Sequence, residues 1–100
     1  MANVAREQGV QPDIDYHLDY QFDAWNSVQD HAMQWPAMDA IDKEVFHLEW
    51  VGIRESRLQE LQRWFHRGYL TPEQEARYQE LLHLVAQNRP TLAHLLKADE

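Results

Sequence analysis

The chain has 100 residues, 44% of them hydrophobic, with a formal net charge of −8. That is enough for one domain with a modest core, and an acid excess of this size speaks against the basic footprint that direct nucleic-acid binding needs. There is no cysteine, which excludes disulfides, thiolate metal sites and a cysteine nucleophile.

The charge is unevenly placed. Between Glu7 and Asp42 there is no Lys or Arg, while Glu7, Asp13, Asp15, Asp19, Asp23, Asp30, Asp39 and Asp42 supply eight acids; from Lys43 to Glu100 eight bases stand against nine acids. The acidic N-terminal part calls for a basic surface, on a partner or within the same protein. The opening "MANVAREQGVQPD" has no apolar targeting core and no later run reaches membrane length, so a cytoplasmic protein is expected.

Residues 1–12 are polar and hold Gly9 and Pro12, which reads as a lead-in. In "DIDYHLDYQFD", residues 13–23, Ile14, Tyr16, Leu18, Tyr20 and Phe22 alternate with polar residues, the period-two pattern of a half-buried strand. Residues 1–23 are therefore expected to form a flexible or extended acidic arm ahead of a helical domain over 24–100. Asp23 suits the N-cap of a first helix, on which Trp25, Val28, Ala32 and Trp35 share one face, and Pro36 closes it. Met38, Ile41, Val45 and Leu48 mark the apolar face of a second helix. Beyond it Ile53, Leu58, Leu61, Trp64 and Phe65 form a stripe about half a turn round the axis, so that the helix either kinks near Gly52 or buries opposite faces at its two ends.

"HRGYLTPEQEARYQELLHLVAQNRP" is the clearest local pattern. His66 and Arg67 suit a helix C-terminus and Gly68 the left-handed position after it; Thr71, Pro72 and Gln74 then read as N-cap, first-turn proline and capping-box partner. The next helix shows Tyr78, Leu81, Leu82 and Val85 on one face and is expected to stop before Pro90, followed by a short helix carrying Leu92, Leu95 and Leu96. The short connection at 67–71 predicts an antiparallel helical hairpin. The fold class expected is an all-α small helical bundle on that hairpin, with the extended arm added.

Candidate chemistry is sparse. Glu-x-x-His occurs at Glu44/His47 and Glu80/His83, a spacing that di-iron bundles use for ligands, but Glu80 and His83 lie opposite Leu81, Leu82 and Val85, on the solvent side. No metal site, cofactor or catalytic residue is assigned. "RWFHRGY", residues 63–69, mixes bases with aromatics as single-strand binders do, yet Trp64 and Phe65 belong to an apolar stripe.

An unpaired strand leaves its backbone groups unsatisfied. It can lie across its own helices, pair with a second copy in a homodimer, add to a partner's sheet edge, or order on binding. These readings point to a noncatalytic protein-binding regulator, inhibitor or assembly factor, with an antitoxin-like inhibitor among the forms that fit. The binding residues expected are Ile14, Tyr16, Leu18, Tyr20 and Phe22 as apolar anchors and Asp13, Asp15 and Asp19 as charges toward a basic or sheet-edge surface. The alternatives are a self-assembling helical protein and a metal-binding bundle using Glu44, His47, Glu80 and His83.

Overall fold

The computed structural model describes residues 13–98. The chain is all-α: among the described residues there is no strand. Helix α1 spans Ile14–Asn26, α2 Val28–Gln34, α3 Ala40–Glu49, α4 Glu55–His66 and α5 Pro72–Ala98. A 3₁₀ turn, Trp35–Ala37, follows α2, and a π-helical turn, Trp50–Arg54, joins α3 to α4 without a break.

The stretch expected to be an extended strand is α1, and this corrects the period-two reading. Asp13, not Asp23, caps the helix: its carboxylate accepts the Tyr16 amide at 3.0 Å. Ile14, Leu18, Gln21, Trp25 and Val28 are buried at spacings of four, three, four and three, one helical face, and Ala24 is buried beside them. Ile14 and Leu18 satisfy both periods; the polar Gln21 at a buried helical position hides the longer one. Residues 1–12 of the expected arm lie outside the described residues.

Ser27 marks a slight irregularity between α1 and α2, where its hydroxyl donates to the Ala24 carbonyl at 2.7 Å, a local bond that competes with the helical ladder. Asp15 and Asp19 face Arg77 near the start of α5, at 3.7 and 2.5 Å. Gln29 reaches Asn88 and Thr91 farther along it, at 3.0 and 3.3 Å. The α1–α2 segment therefore runs parallel to α5. Gln21 against Arg54, Tyr20 against Arg57 and His17 against Trp64 run the other way, as do Glu55 with Arg89 and Phe65 with Tyr78. Helix α4 is thus antiparallel to both. The assembly measures 52 × 24 × 17 Å.

The junction between α4 and α5 follows its local chemistry. Gly68 takes φ +74°; its amide donates to the Phe65 carbonyl and that of Tyr69 to the Trp64 carbonyl, the two bonds of a Schellman cap. Thr71 and Gln74 exchange side-chain and backbone bonds at 2.9 and 3.2 Å, a capping box. Helix α5 does not stop before Pro90, as the proline suggested, but continues through it to Ala98. An internal proline costs a helix about 3 kcal/mol, which burial of Leu92 and Leu95 and the Gln29 bonds to Asn88 and Thr91 offset.

The second helical stretch differs most from expectation. At about 100° per residue, Phe46 and Trp50 lie roughly opposite Ile41, Val45 and Leu48, and the two aromatics are the buried pair. Phe46 meets Trp35 and Trp50 at ring distances of 5.3 and 5.6 Å, and Trp50 meets Trp25 edge to face at 5.0 Å. Such rings bury roughly 150–250 Å² each, and each pair adds about 0.5–1.5 kcal/mol beyond area. An aliphatic stripe offers no such increment. An undistorted α-helix would carry Leu58 about 80° round from Trp50; the wider π turn takes that rotation back, so that Phe46, Trp50, Leu58 and Leu61 are all buried.

Gln21 holds this arrangement. Fully buried, it accepts the Trp25 indole N–H at 3.1 Å and donates to the Arg54 carbonyl, at the end of the π turn, at 3.0 Å. Gln21→Leu keeps the volume but leaves the indole and the carbonyl without their partner, at about 1–3 kcal/mol for each buried group. Urea unfolding should report a loss of about 2–4 kcal/mol; a change under about 0.5 kcal/mol would remove Gln21 from this role. The two helical-region glycines separate cleanly. A Cβ at Gly52 meets nothing within 4 Å and the residue has no positive φ, so Gly52→Ala should raise stability by up to about 1 kcal/mol. At Gly68 the left-handed backbone makes the same substitution destabilising by about 1 kcal/mol; equal shifts in thermal midpoint would contradict both assignments.

Candidate functional site

The residues singled out as binding anchors in the N-terminal segment do not gather on one exposed face. Ile14 and Leu18 belong to the core. Phe22 is partly buried under the Arg77 guanidinium, 5.5 Å from its ring centre. Tyr20 lies beneath Arg57 at 4.6 Å. Tyr16 alone of the five is largely exposed. Of the acids, Asp13 serves as the helix cap, while Asp15 and Asp19 already face a cation, Arg77. Helical geometry puts these side chains all round the axis instead of on two faces of a strand.

Within this segment His17 is half-buried against Trp64, with a ring separation of 5.0 Å. Its pKa lies below the ordinary value of 6.5, first because burial disfavours the imidazolium and second because Arg57 is near, with Asp13 and Glu60 pulling the other way. The folded chain therefore takes up this proton less readily than the unfolded one. Stability from this source is complete above about pH 6.5 and falls as pH drops through the range between 6.5 and the lowered folded value.

The Glu-x-x-His pairs lie on two helices, Glu44 and His47 on α3 and Glu80 and His83 on α5. Glu44, Glu80 and His83 are exposed on different helices, and among the described residues no group of three or more His, Asp or Glu side chains could hold one ion. No helix among the described residues is long and apolar enough to cross a membrane.

What the molecule does present is the outer side of α3 and the π turn. Ile41 is 71% exposed, Val45 46%, Leu48 62%, Val51 51% and Ile53 43%. Ile41, Val45 and Leu48 stand at i, i+4 and i+7, one continuous ridge, and Gly52 beyond them leaves bare backbone. The ridge from Ile41 to Val51 is about 15 Å long at 1.5 Å per residue. Ile41, Val45 and Leu48 are residues whose periodicity marked them for a core, and Ile53, expected in the stripe with Leu58 and Leu61, is exposed as well; the ring face has taken that place.

A cleft of about 290 Å³ runs beside the ridge, lined by Met38, Asp42, Val45, Phe46 and Glu49 and, from α2, by His31 and Gln34. Glu44 stands on the other flank of the ridge, exposed. The two cations of this stretch point elsewhere. The Lys43 ammonium sits over the Trp35 ring at 5.4 Å and the Arg54 guanidinium over Trp50 at 5.0 Å, with Arg54 also 3.6 Å from the Glu49 carboxylate. The outer face is therefore apolar along its centre and acidic at its edges. Comparison with protein-family profiles, with curated proteins and with solved structures finds no match for this chain.

The His17 environment is directly testable. In NMR titration the His17 ring protons should show a midpoint below 6.5, and the thermal midpoint of the protein should fall between pH 7.5 and 5.5. His17→Phe should flatten that fall; an unchanged slope would mean that another group carries the pH dependence.

Proposed function

We propose that this protein is a noncatalytic binding protein, a regulator, inhibitor or assembly factor, that docks a partner on the outer face of α3 and the π turn. One observation carries the reading: Ile41, Val45, Leu48, Val51 and Ile53 stand exposed together on a segment whose opposite face is anchored in the core by Phe46 and Trp50. Apolar side chains scattered singly over a surface need no explanation, but a contiguous ridge rimmed by polar groups marks interaction sites. The anchoring matters as much as the exposure. A face built on a packed helix is presented without the ordering cost that a flexible arm incurs on binding, so the folded segment is a better docking element than the extended arm expected from period two.

The ridge also suits contact with a second copy of the chain, the self-assembling alternative, because a helical i, i+4, i+7 line can receive another of its kind. The two readings share the surface and differ in the occupant.

Ile41→Ser with Leu48→Ser distinguishes a docking face from a structural one. Both side chains are exposed, so the double variant should unfold within about 0.5 kcal/mol of the parent per site. Native mass spectrometry of the protein isolated from its own host should show complexes with the parent chain that the variant lacks. Complexes that persist in the variant would refute the assignment of this face, and a variant that melts far below the parent would mean that the ridge is structural.

A further inference from the structure

The rim of the α3 face specifies what kind of partner it fits, an inference that rests on the docking reading above. Asp42 and Glu49 are seven residues apart on the same side of α3, about 10 Å along the axis, and both edge the cleft beside the ridge. Glu44 flanks the ridge on its other side. Among the described residues of this segment the only cations are Lys43 and Arg54, and each is drawn over a buried indole, Lys43 onto Trp35 and Arg54 onto Trp50. Cation–π contact with a buried ring holds both over the core; Arg54 also comes within 3.6 Å of the Glu49 carboxylate, so the two cations offset only part of the charge of the three carboxylates on the outer side.

We infer that the occupant is a cationic amphipathic helix of another protein. Its apolar stripe lies along Ile41, Val45 and Leu48, ridge against ridge, and Gly52 lets its backbone approach closely at one end. Lys or Arg side chains one heptad apart on that helix reach Asp42 and Glu49, with their aliphatic stems in the cleft over Met38 and Phe46. Arginine suits this best, since its weakly hydrated guanidinium pairs with carboxylates and stacks on rings.

Charge complementarity separates this occupant from the others. A second copy laid face to face would set Asp42, Glu44 and Glu49 against carboxylates of the same kind, which costs affinity. The twelve residues that precede Asp13 carry one Arg and one Glu and so bring no net positive charge to the rim.

The probe is a fluorescein-labelled 18-residue peptide of lysine, arginine and leucine patterned as an amphipathic helix. It is compared with a scrambled peptide of the same composition and with an amphipathic glutamate–leucine peptide, by anisotropy at about 0.15 M salt. The cationic amphipathic peptide should bind at least about tenfold tighter than either control. Asp42→Asn with Glu49→Gln should weaken it about tenfold and flatten its salt dependence, whereas the charge-matched control Glu73→Gln with Glu80→Gln should not. Leu48→Asp should weaken it about a hundredfold with an unchanged thermal midpoint.

Equal binding of the cationic and acidic amphipathic peptides, both lost in Leu48→Asp, overturns the cationic specificity and leaves the docking face standing. Equal binding of the scrambled peptide reduces the effect to bulk charge and overturns the helix. A dimer in sedimentation equilibrium that Leu48→Asp dissociates assigns the face to a second copy and overturns the inference. No binding of any peptide to a monomeric protein overturns it too, and the native-mass comparison then decides separately whether the face docks a partner at all.

Discussion

Residues 40–66 form one uninterrupted helical rod with apolar side chains on two sides, and only one side of such a rod can face the core. The rings win. Phe46 and Trp50 join Trp25 and Trp35 in a chain of edge and stacked contacts, and the rod is then committed to showing Ile41, Val45 and Leu48 to solvent. The π turn keeps the commitment consistent along the rod, since it returns Leu58 and Leu61 to the side already occupied by Trp50. Gln21 ties that turn to α1 through the Arg54 carbonyl while satisfying the Trp25 indole. A buried amide with both ends partnered is a far better occupant of that position than one with a single bond.

The same choice organises the charges. Two acids of α1 find a cation within the fold: Asp15 and Asp19 meet Arg77, whose guanidinium also covers Phe22. The acids of α3 have less. Lys43 and Arg54 are held over the indoles that anchor the rod, and only Glu49 keeps a contact, with Arg54 at 3.6 Å. Exposed ion pairs of this kind contribute about 0–1 kcal/mol, so the α1 pairs fix position more than stability. The rim of α3 is instead left with negative potential beside an apolar ridge. The acidity of the N-terminal part is thus divided between internal pairing and outward display.

Two buried polar residues stand in otherwise apolar lines. Gln21 sits among Ile14, Leu18, Trp25 and Val28, and Asn88 among Tyr78, Leu81, Val85, Leu92 and Leu95. Asn88 donates to the Leu84 carbonyl and accepts from Gln29. A polar residue in an apolar seam fixes register, because sliding the helices would strand it. Both lines step by threes and fours; Gln21 sets α1 against the central rod through the Arg54 carbonyl, and Asn88 sets α5 against α2 through Gln29.

How much of this could be read in advance depended on whether the information was local. The Schellman turn at Gly68 and the capping box of Thr71 and Gln74 involve neighbours in the chain, and the all-α class follows from periodicities that few residues could disturb. Local chemistry failed where two patterns overlapped: Ile14 and Leu18 serve period two and period 3.6 alike, and a buried glutamine looked like a polar position. It failed again at Pro90, where contacts from α2 and burial of Leu92 and Leu95 carry the helix through a residue that would stop it in isolation. The candidate site was out of reach for the same reason. Ile41, Val45 and Leu48 were legible as an apolar face, but whether that face is core or surface depends on Trp25, Trp35 and Gln21, which lie elsewhere in the chain. What the sequence by itself determined was the helical class, the caps and the acidic bias of its first half, each a property of neighbouring residues. Which side of the central rod is buried, and hence which side is free to bind, only the tertiary structure decided, because that is a competition between two faces for one core.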